Sequence, residues 1–342
     1  MKLRRYKNNP ILTNDKNVEW EAGSVFNPSV IKDEKGFHMF YRATNDIRKD
    51  LTGGYVSSIG YAHSEDGIHF TKREKPFISP TEEYEEGLGC EDARVTKIGD
   101  TYYIYYTAGK ADNDDVEVRI ALATSKDLVK VQKHGIVGPK GSWTKAATLF
   151  PETFNGKYLM IYTWEADSTM STIMSVWFDS LKHLKNPPPG FYGNSFEYFD
   201  TFYLIHPLKG SYRGPEVGAP PVKTKDGWLL IYCGSAVGQR IWTIDAMLLD
   251  LENPYKILGI IPNHILEPEV KSEKEGVVNN VTFPSGAVIV GEELYVYYGS
   301  GDQGCCLATC KLDDLLNQLM KNPPSKKMLG QQFYRQERFQ KV

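Results

Sequence analysis

Four consecutive residues, Glu91-Asp92-Ala93-Arg94, offer the most direct chemistry in this chain. Adjacent carboxylates beside a guanidinium can keep one acid protonated and another ionised, which acid/base work on a glycosidic bond requires. The competing role is structural, an Asp–Arg pair bracing a strand. Spacing alone favours that role, because such ion pairs are common and individually weak. Other polar residues punctuate apolar runs. Arg42 ends an otherwise apolar strand in Phe37–Ala43, so its charge must meet an acid or a ligand. Asn27 lies in the extended Asn-Pro segment Phe26–Ser29. Asp302 follows Tyr297–Gly301, and Asn279–Asn280 precede Val281–Gly286. Each alone is more often a turn or capping residue. Together they gain weight if the fold brings strand ends to one place.

The elements that must position them are written in a pattern that occurs five times. Aromatic-rich apolar runs open at Phe37 (FHMFYRA), Thr101 (TYYIYYTA), Lys157 (KYLMIYTW), Gly227 (GWLLIYCG) and Glu293 (ELYVYYGS). Each is followed by a turn and a second run: Ser58–Phe70, Arg119–Val131, Ile173–Leu184, Ile241–Ile257 and Gly304–Leu316. A unit of roughly 55–70 residues repeated in this way marks a radial array. Runs such as TYYIYYTA read as strands buried on both faces, as inner strands between packed sheets would be. The predicted fold is all-β: a five-bladed β-propeller filling 1–342 as one body, with about four antiparallel strands per blade. Ser64–Gly67 (SEDG) reads as a hairpin turn, with Ser125–Asp127 and Phe178–Ser180 in matching places. The Pro/Gly-rich stretch Lys185–Asp200 reads as a long loop, and residues 317–342 as a short helix and basic tail. The axial end of such an array gathers a loop from every blade, so a cleft there can be lined from all five.

Composition narrows the function classes. The 342 residues carry a net charge of −3 with both signs interspersed, which leaves no basic footprint for nucleic acid. No apolar run approaches the ~20 residues of a membrane span, and the N-terminus lacks the apolar stretch of a signal peptide. The five cysteines are an odd number without metal-type spacing, and adjacent Cys305 and Cys306 should point to opposite faces of a strand. A reduced, cytoplasmic protein without a metal is expected.

An ordered set of motifs then resembles glycoside hydrolase family 130, the β-mannoside phosphorylases and mannosidases, which are five-bladed propellers. The set runs through Asn9–Leu12 (NPIL), Phe26–Ser29 (FNPS), Tyr41–Ala43 (YRA), Ser58–Gly67 (SIGYAHSEDG) and Glu91–Val95 (EDARV). It continues through Leu149–Pro151 (LFP), Gly227–Tyr232 (GWLLIY), Leu248–Pro254 (LLDLENP), Ile265–Glu269 (ILEPE) and Tyr297–Asp302 (YYGSGD). The resemblance implies that Asp92 is the catalytic acid, passing its proton to the glycosidic oxygen through the mannose 3-hydroxyl with inversion at the anomeric centre. It further implies that Asn27, Arg42, Arg94 and Asp302 bind the mannosyl unit; Glu91 and Asn280, from their places next to these motifs, are further candidates for substrate binding.

The chain departs from the phosphorylase pattern where an anion would be held. Phosphate in a cleft needs cationic or donor groups around it. Lys145 is kept, but Ala146 replaces an asparagine, Thr163 stands where an arginine is expected, and Cys233 replaces a histidine. The lysine expected before the fourth run is also missing, and Tyr212–Pro221 there contains Arg213 and Glu216. These losses favour an activated water, with Glu216 as general base and Asp245 and Glu273 as the other candidate carboxylates. Arg213 could instead replace the lost lysine and preserve phosphorolysis. Trp242, close to Asp245, is the better sugar platform; Trp164 is another candidate, and Trp177 fits core packing.

Three functions follow. The first is an inverting, exo-acting β-mannosidase on short mannosides, with β-1,2 linkage by analogy. The second is a phosphorylase releasing α-mannose 1-phosphate, with inorganic phosphate as co-substrate and no other cofactor, a reading that a cytoplasmic setting favours. The third is a non-catalytic mannoside-binding propeller. Five-bladed furanosidases share the architecture but fit the motifs less well. The expected partner is a small mannose-containing oligosaccharide. Any homo-oligomer would assemble through terminal extensions, for which the C-terminal tail is the candidate.

Overall fold

The computed structural model describes residues 1–46, 54–112, 115–140, 143–168, 171–188, 191–192, 203–205, 214–235 and 240–325. Arg213, most of the predicted loop at 185–200 and the tail from 326 onward lie outside the described residues. The fold is all-β with few helices. The chain opens with β1 (Arg4–Arg5), and five antiparallel units follow. Unit one is β2 (Ser24–Asp33), β3 (Gly36–Thr44), β4 (Ser57–Ser64) and β5 (Thr71–Lys72). Unit two is β6 (Gly87–Ile98), β7 (Thr101–Asp112), β8 (Asp115–Ser125) and β9 (Gln132–Ile136). Unit three is β10 (Thr144–Leu149), β11 (Tyr158–Trp164), β12 (Thr172–Phe178) and β13 (Tyr203–Ile205). Unit four contains β14 (Glu216–Val217), β15 (Val222–Lys223), β16 (Trp228–Ser235), β17 (Trp242–Leu249) and β18 (Ile257–Ile260). Unit five is β19 (Thr282–Val290), β20 (Glu293–Ser300) and β21 (Gly304–Lys311), and β1 pairs with β21 as its fourth strand. The short helices are α1 (Leu181–Lys185), α2 (Lys271–Lys274) and α3 (Leu312–Met320).

The five aromatic runs are β3, β7, β11, β16 and β20, and both faces of these strands are buried for a physical reason. Side chains alternate across a strand. Tyr102, Ile104 and Tyr106 of β7 join a cluster with Phe40 and Ile59 of unit one, while Tyr103 and Tyr105 join Leu149 and Met160 of unit three. Unit three packs on unit four through Phe150, Ile161, Trp228 and Leu230, and unit four on unit five through Leu229, Ile231, Leu294 and Val296. The fifth cluster joins Tyr297 and Leu307 of unit five to Val25 and Met39 of unit one. Each aromatic run is therefore shared between two neighbours, which is why apolar residues sit side by side along it.

Two expectations need adjustment. The hydrogen-bonded ladders number four sheets among the described residues, because a single parallel bridge, Ser57 to Gly89, merges units one and two. Five separate blades are therefore not countable from the ladders. The C-terminal helix begins at Leu312, ahead of the predicted 317, with Leu315, Leu316 and Leu319 buried against units four and five. The SEDG turn does join two strands, β4 and β5, with Ser64 and Asp66 side chains accepting from the backbone of 66–69. All five cysteines are free and buried, and Cys305 and Cys306 enter different apolar clusters. No helix among the described residues is long and apolar enough to cross a membrane.

Candidate active site

The first strand of a unit is not a regular strand. Register breaks occur between Phe26 and Ser29 in β2, Glu91 and Arg94 in β6, and Lys145 and Thr148 in β10. A bulge adds a residue, bends the strand and re-aims a side chain. The re-aimed residues are Asn27, Asp92 and Ala146, with φ of 49°, 50° and 51°. In β2 the bulge also houses Pro28, which has no N–H to give a ladder. These three residues open onto one cavity of about 950 Å³. Glu165, Asp167, Asn280 and Asp302 line it too and share the left-handed backbone. Only Leu128 and Asn155, among described non-glycine residues with positive φ, lie away from it. Strained backbone persists where the surroundings over-determine it, and it gathers at functional sites.

The Glu91–Arg94 segment divides into three jobs. Glu91 Oε1 accepts from Arg42 Nη2 at 2.5 Å. Arg42 also donates to the Tyr55 hydroxyl at 3.0 Å and to Ser57 Oγ at 3.1 Å, and its guanidinium lies 5.0 Å from the Phe26 ring centre. Burial works against the Arg42 charge, but Glu91, Tyr55, Asp92 and Asp302 outweigh it and raise its pKa. Asp92 Oδ1 accepts from Asn27 Nδ2 at 2.9 Å and lies 3.7 Å from Arg42 Nη1. Burial alone would raise the Asp92 pKa. Arg42, Arg94, the Asn27 hydrogen bond and Lys145 hold it below the ordinary carboxylate value instead.

Arg94 takes the third job and corrects an expectation. It is fully buried and does not line the cavity. Its guanidinium donates to the carbonyls of Gly218 at 2.9 Å, Asp92 at 2.6 Å and Val217 at 3.4 Å. It braces β6 against β14, the structural role that spacing favoured.

Lys145 enters from β10, its ammonium 2.9 Å from Asp167 Oδ2 and 5.9 Å from the Trp143 ring centre. Burial disfavours its charge, but Asp167, Glu91 and Asp92 together raise its pKa. Glu216, 5 % exposed, lines the cavity from β14 opposite Cys233. Thr163, the residue directly across the ladder from Lys145, accepts the Val217 N–H at 2.9 Å and so fixes β14. Trp242 lines the cavity with Arg240 5.4 Å from its ring centre. Asn280 and Asp302 complete the set that the structure brings together.

Two carboxylates named from the sequence lie outside the cavity lining. Glu273 is fully buried and saturated: it accepts from Arg5 Nε at 2.8 Å and Nη2 at 2.9 Å, from the Tyr298 hydroxyl at 2.9 Å and from the Glu269 N–H at 2.8 Å. Asp245 sits 2.8 Å from His264 Nδ1 and accepts from Thr243 Oγ at 3.3 Å. Trp164 and Trp177 are also absent from the lining, and Trp177 Nε1 donates to the Tyr255 hydroxyl at 2.8 Å. The cavity adds Tyr55, Trp143, Glu165, Asp167 and Arg240, which sequence reasoning missed. Trp143 lies two residues before Lys145, and Glu165–Ser168 directly follows the third aromatic run, so strand-end position was the available signal.

Fold and site together define a class: an all-β protein that gathers carboxylates and cations from successive units into one polar cavity. The chain belongs to glycoside hydrolase family 130, whose model, described as beta-1,4-mannooligosaccharide phosphorylase, matches residues 2–321. It is 37 % identical over 317 residues to a 1,2-beta-oligomannan phosphorylase of Thermoanaerobacter sp. (strain X514), covering 92 % of this chain and 99 % of the relative. It is 36 % identical over 309 residues to a beta-1,2-mannobiose phosphorylase of the same strain, covering 88 % and 94 %. Among solved structures it is similar to the beta-1,2-mannobiose phosphorylase of Listeria innocua in complex with beta-1,2-mannobiose. That match has a TM-score of 0.77 and 26 % identity, and covers 94 % of this chain and 100 % of the other.

Proposed function

We propose that this protein is an inverting β-mannoside phosphorylase acting on short β-1,2-linked mannosides and releasing α-mannose 1-phosphate. The observation that supports the reading is that Asp92 and Lys145 line the same cavity and interact electrostatically, an acid and a cation that one phosphorolytic displacement would use. The five units act as five blades of a propeller whose axial end holds this cavity. The expectation of hydrolysis, drawn from the missing cationic residues, gives way because relatives spanning nearly their full length are named as phosphorylases. Arg42, Asn27 and Asp302 bind the mannosyl hydroxyls.

The electrostatics suit an incoming anion. The cations around Asp92 favour its carboxylate form in the free cavity, and the carboxylate must gain a proton before it can act as an acid. A hydrogen phosphate dianion brings both the nucleophile and the proton that the reaction consumes. Its oxygen attacks the anomeric carbon, the glycosidic C–O bond breaks, and the leaving oxygen takes the proton relayed by Asp92 through the sugar 3-hydroxyl. Negative charge arriving at Lys145 displaces part of the Asp167 contact and raises the proton affinity of Asp92. Phosphate binding and protonation of the acid therefore favour each other.

Hydrolysis remains the second reading, favoured by the buried Glu216 carboxylate on the cavity wall. The test is incubation with β-1,2-mannobiose, with and without inorganic phosphate, followed by assay of mannose and mannose 1-phosphate. Mannose 1-phosphate that forms only with phosphate, and is lost by at least about a hundredfold in Asp92→Asn, supports phosphorolysis. Free mannose without phosphate moves the assignment to hydrolysis with Glu216 as base. Binding without turnover leaves a mannoside-binding propeller.

A further inference from the structure

Gly299 of β20 faces the bulge that carries Asn27. It pairs with Phe283 and Cys305 in the ladder, and its φ lies outside the left-handed region, so its backbone would accept an alanine. Space is what forbids one. A Cβ at Gly299 would lie 2.2 Å from Asn27 Oδ1, 3.3 Å from its Cγ and 3.0 Å from its backbone nitrogen. The Asn27 carboxamide fills the volume that any other residue at 299 would claim. Asn27 is only 5 % exposed, and its Oδ1 has no hydrogen-bond partner among the described residues. One end of the amide is thus seated against Gly299 while the other donates to Asp92 Oδ1 at 2.9 Å.

We infer that Gly299 is a positioning residue: by leaving its Cβ volume empty it seats Asn27, and the seated amide orients the Asp92 carboxyl. This rests on the role proposed for Asp92. Unit five thereby shapes an acid that belongs to unit two, through a residue of unit one. The left-handed backbone at Asn27 sets where its side chain begins, and the hydrogen bond to Asp92 sets where it ends.

A double-mutant cycle tests this with Gly299→Ala, Asn27→Ala and the pair together. Asn27→Ala should lower kcat/KM roughly ten- to a hundredfold, the range for a hydrogen bond to a charged group. Gly299→Ala should fall to a similar level, and the double variant should be close to Asn27→Ala alone, because the 2.2 Å clash with Oδ1 is gone and only the 3.0 Å approach to the backbone nitrogen, which a shift of a few tenths of an ångström relieves, remains. Losses that multiply, or a Gly299→Ala enzyme with wild-type turnover, would overturn the inference. A pH profile adds a readout that packing damage would not move. Losing the Asn27 hydrogen bond raises the Asp92 proton affinity, so the alkaline limb of kcat should shift upward. The cations that act on Asp92 (Arg42, Arg94 and Lys145) and the other acids of the cavity (Glu91, Glu216 and Asp302) are unchanged in these variants.

If Gly299→Ala fails to fold, the double variant decides: recovery of folding supports the clash, and continued failure refutes it. A crystal structure of Gly299→Ala reads the geometry without any activity. Asn27 displaced from Asp92 is expected, and an unchanged contact overturns the inference. A wild-type protein inactive on every mannoside would sink the functional reading alone.

Discussion

Ala146 occupies in unit three the place that Asn27 and Asp92 hold in units one and two, with the same left-handed backbone but no polar group. Asparagine and aspartate tolerate that conformation; alanine adopts it at a cost of about 1–2 kcal/mol. Ala146→Gly should therefore raise stability by about 0.5 kcal/mol, since the relief exceeds the loss of one packed methyl and of chain stiffness. Denaturant midpoints with an unchanged slope would check it, and a lower midpoint would mean that the methyl contacts with the unit three–four cluster dominate. At this scale the sequence was informative where a polar residue interrupts an apolar run, as Asp92 and Arg42 do. It misled where an acid's partner is remote. Glu273 looks available beside its motif, but Arg5 claims it across 268 positions of chain. Tyr55, Asp167 and Arg240 lie in polar stretches of ordinary composition, so nothing in the sequence sets them apart from surface loops.

At the scale of elements, the long aromatic strands were legible because burial on both faces leaves an uninterrupted apolar run. The short ones were not. β14 has two residues, and neither alternation nor turn chemistry announces it. It is nevertheless the strand that presents Glu216, and its two-residue ladder to β16 is reinforced by side chains: Arg94 grips its carbonyl, and Thr163 Oγ accepts its N–H at 2.9 Å. The residue that breaks the expected phosphate pattern at 163 thus has a structural task. Thr163→Val keeps the shape and leaves the buried Val217 N–H without an acceptor, a cost of about 1–3 kcal/mol. Chemical denaturation should show that loss. A Thr163→Ser enzyme, which retains the oxygen, should recover most of it, and a valine variant of unchanged stability would mean that Arg94 and the pairing with β16 secure β14 without it.

Over the whole molecule, the repeat foretold that successive units pack in order, yet not how the last meets the first. That join combines an apolar cluster of units five and one with a two-residue strand, β1, completing the sheet of unit five. Two residues of ladder contribute little by themselves. Arg5 adds to them by reaching from β1 to Glu273, Glu269 and the Glu267 carbonyl, while Tyr298 of β20 donates to the same Glu273 oxygen that Arg5 Nε contacts. Glu273 is fully buried, so removing its cation strands a desolvated carboxylate, which for a buried pair costs about 3–5 kcal/mol. Arg5 retains some exposure, which lets water reach the site, so Arg5→Ala should cost somewhat less, about 2–4 kcal/mol. Arg5→Lys should recover only part, because an ammonium cannot reproduce the forked contact with both carboxylate oxygens. Urea unfolding measures both, and limited proteolysis should find the N-terminal strand cleaved first in the alanine variant. If Arg5→Ala unfolds at the wild-type midpoint, the join is held by the apolar faces of units five and one, and β1 is an edge cover rather than a clasp.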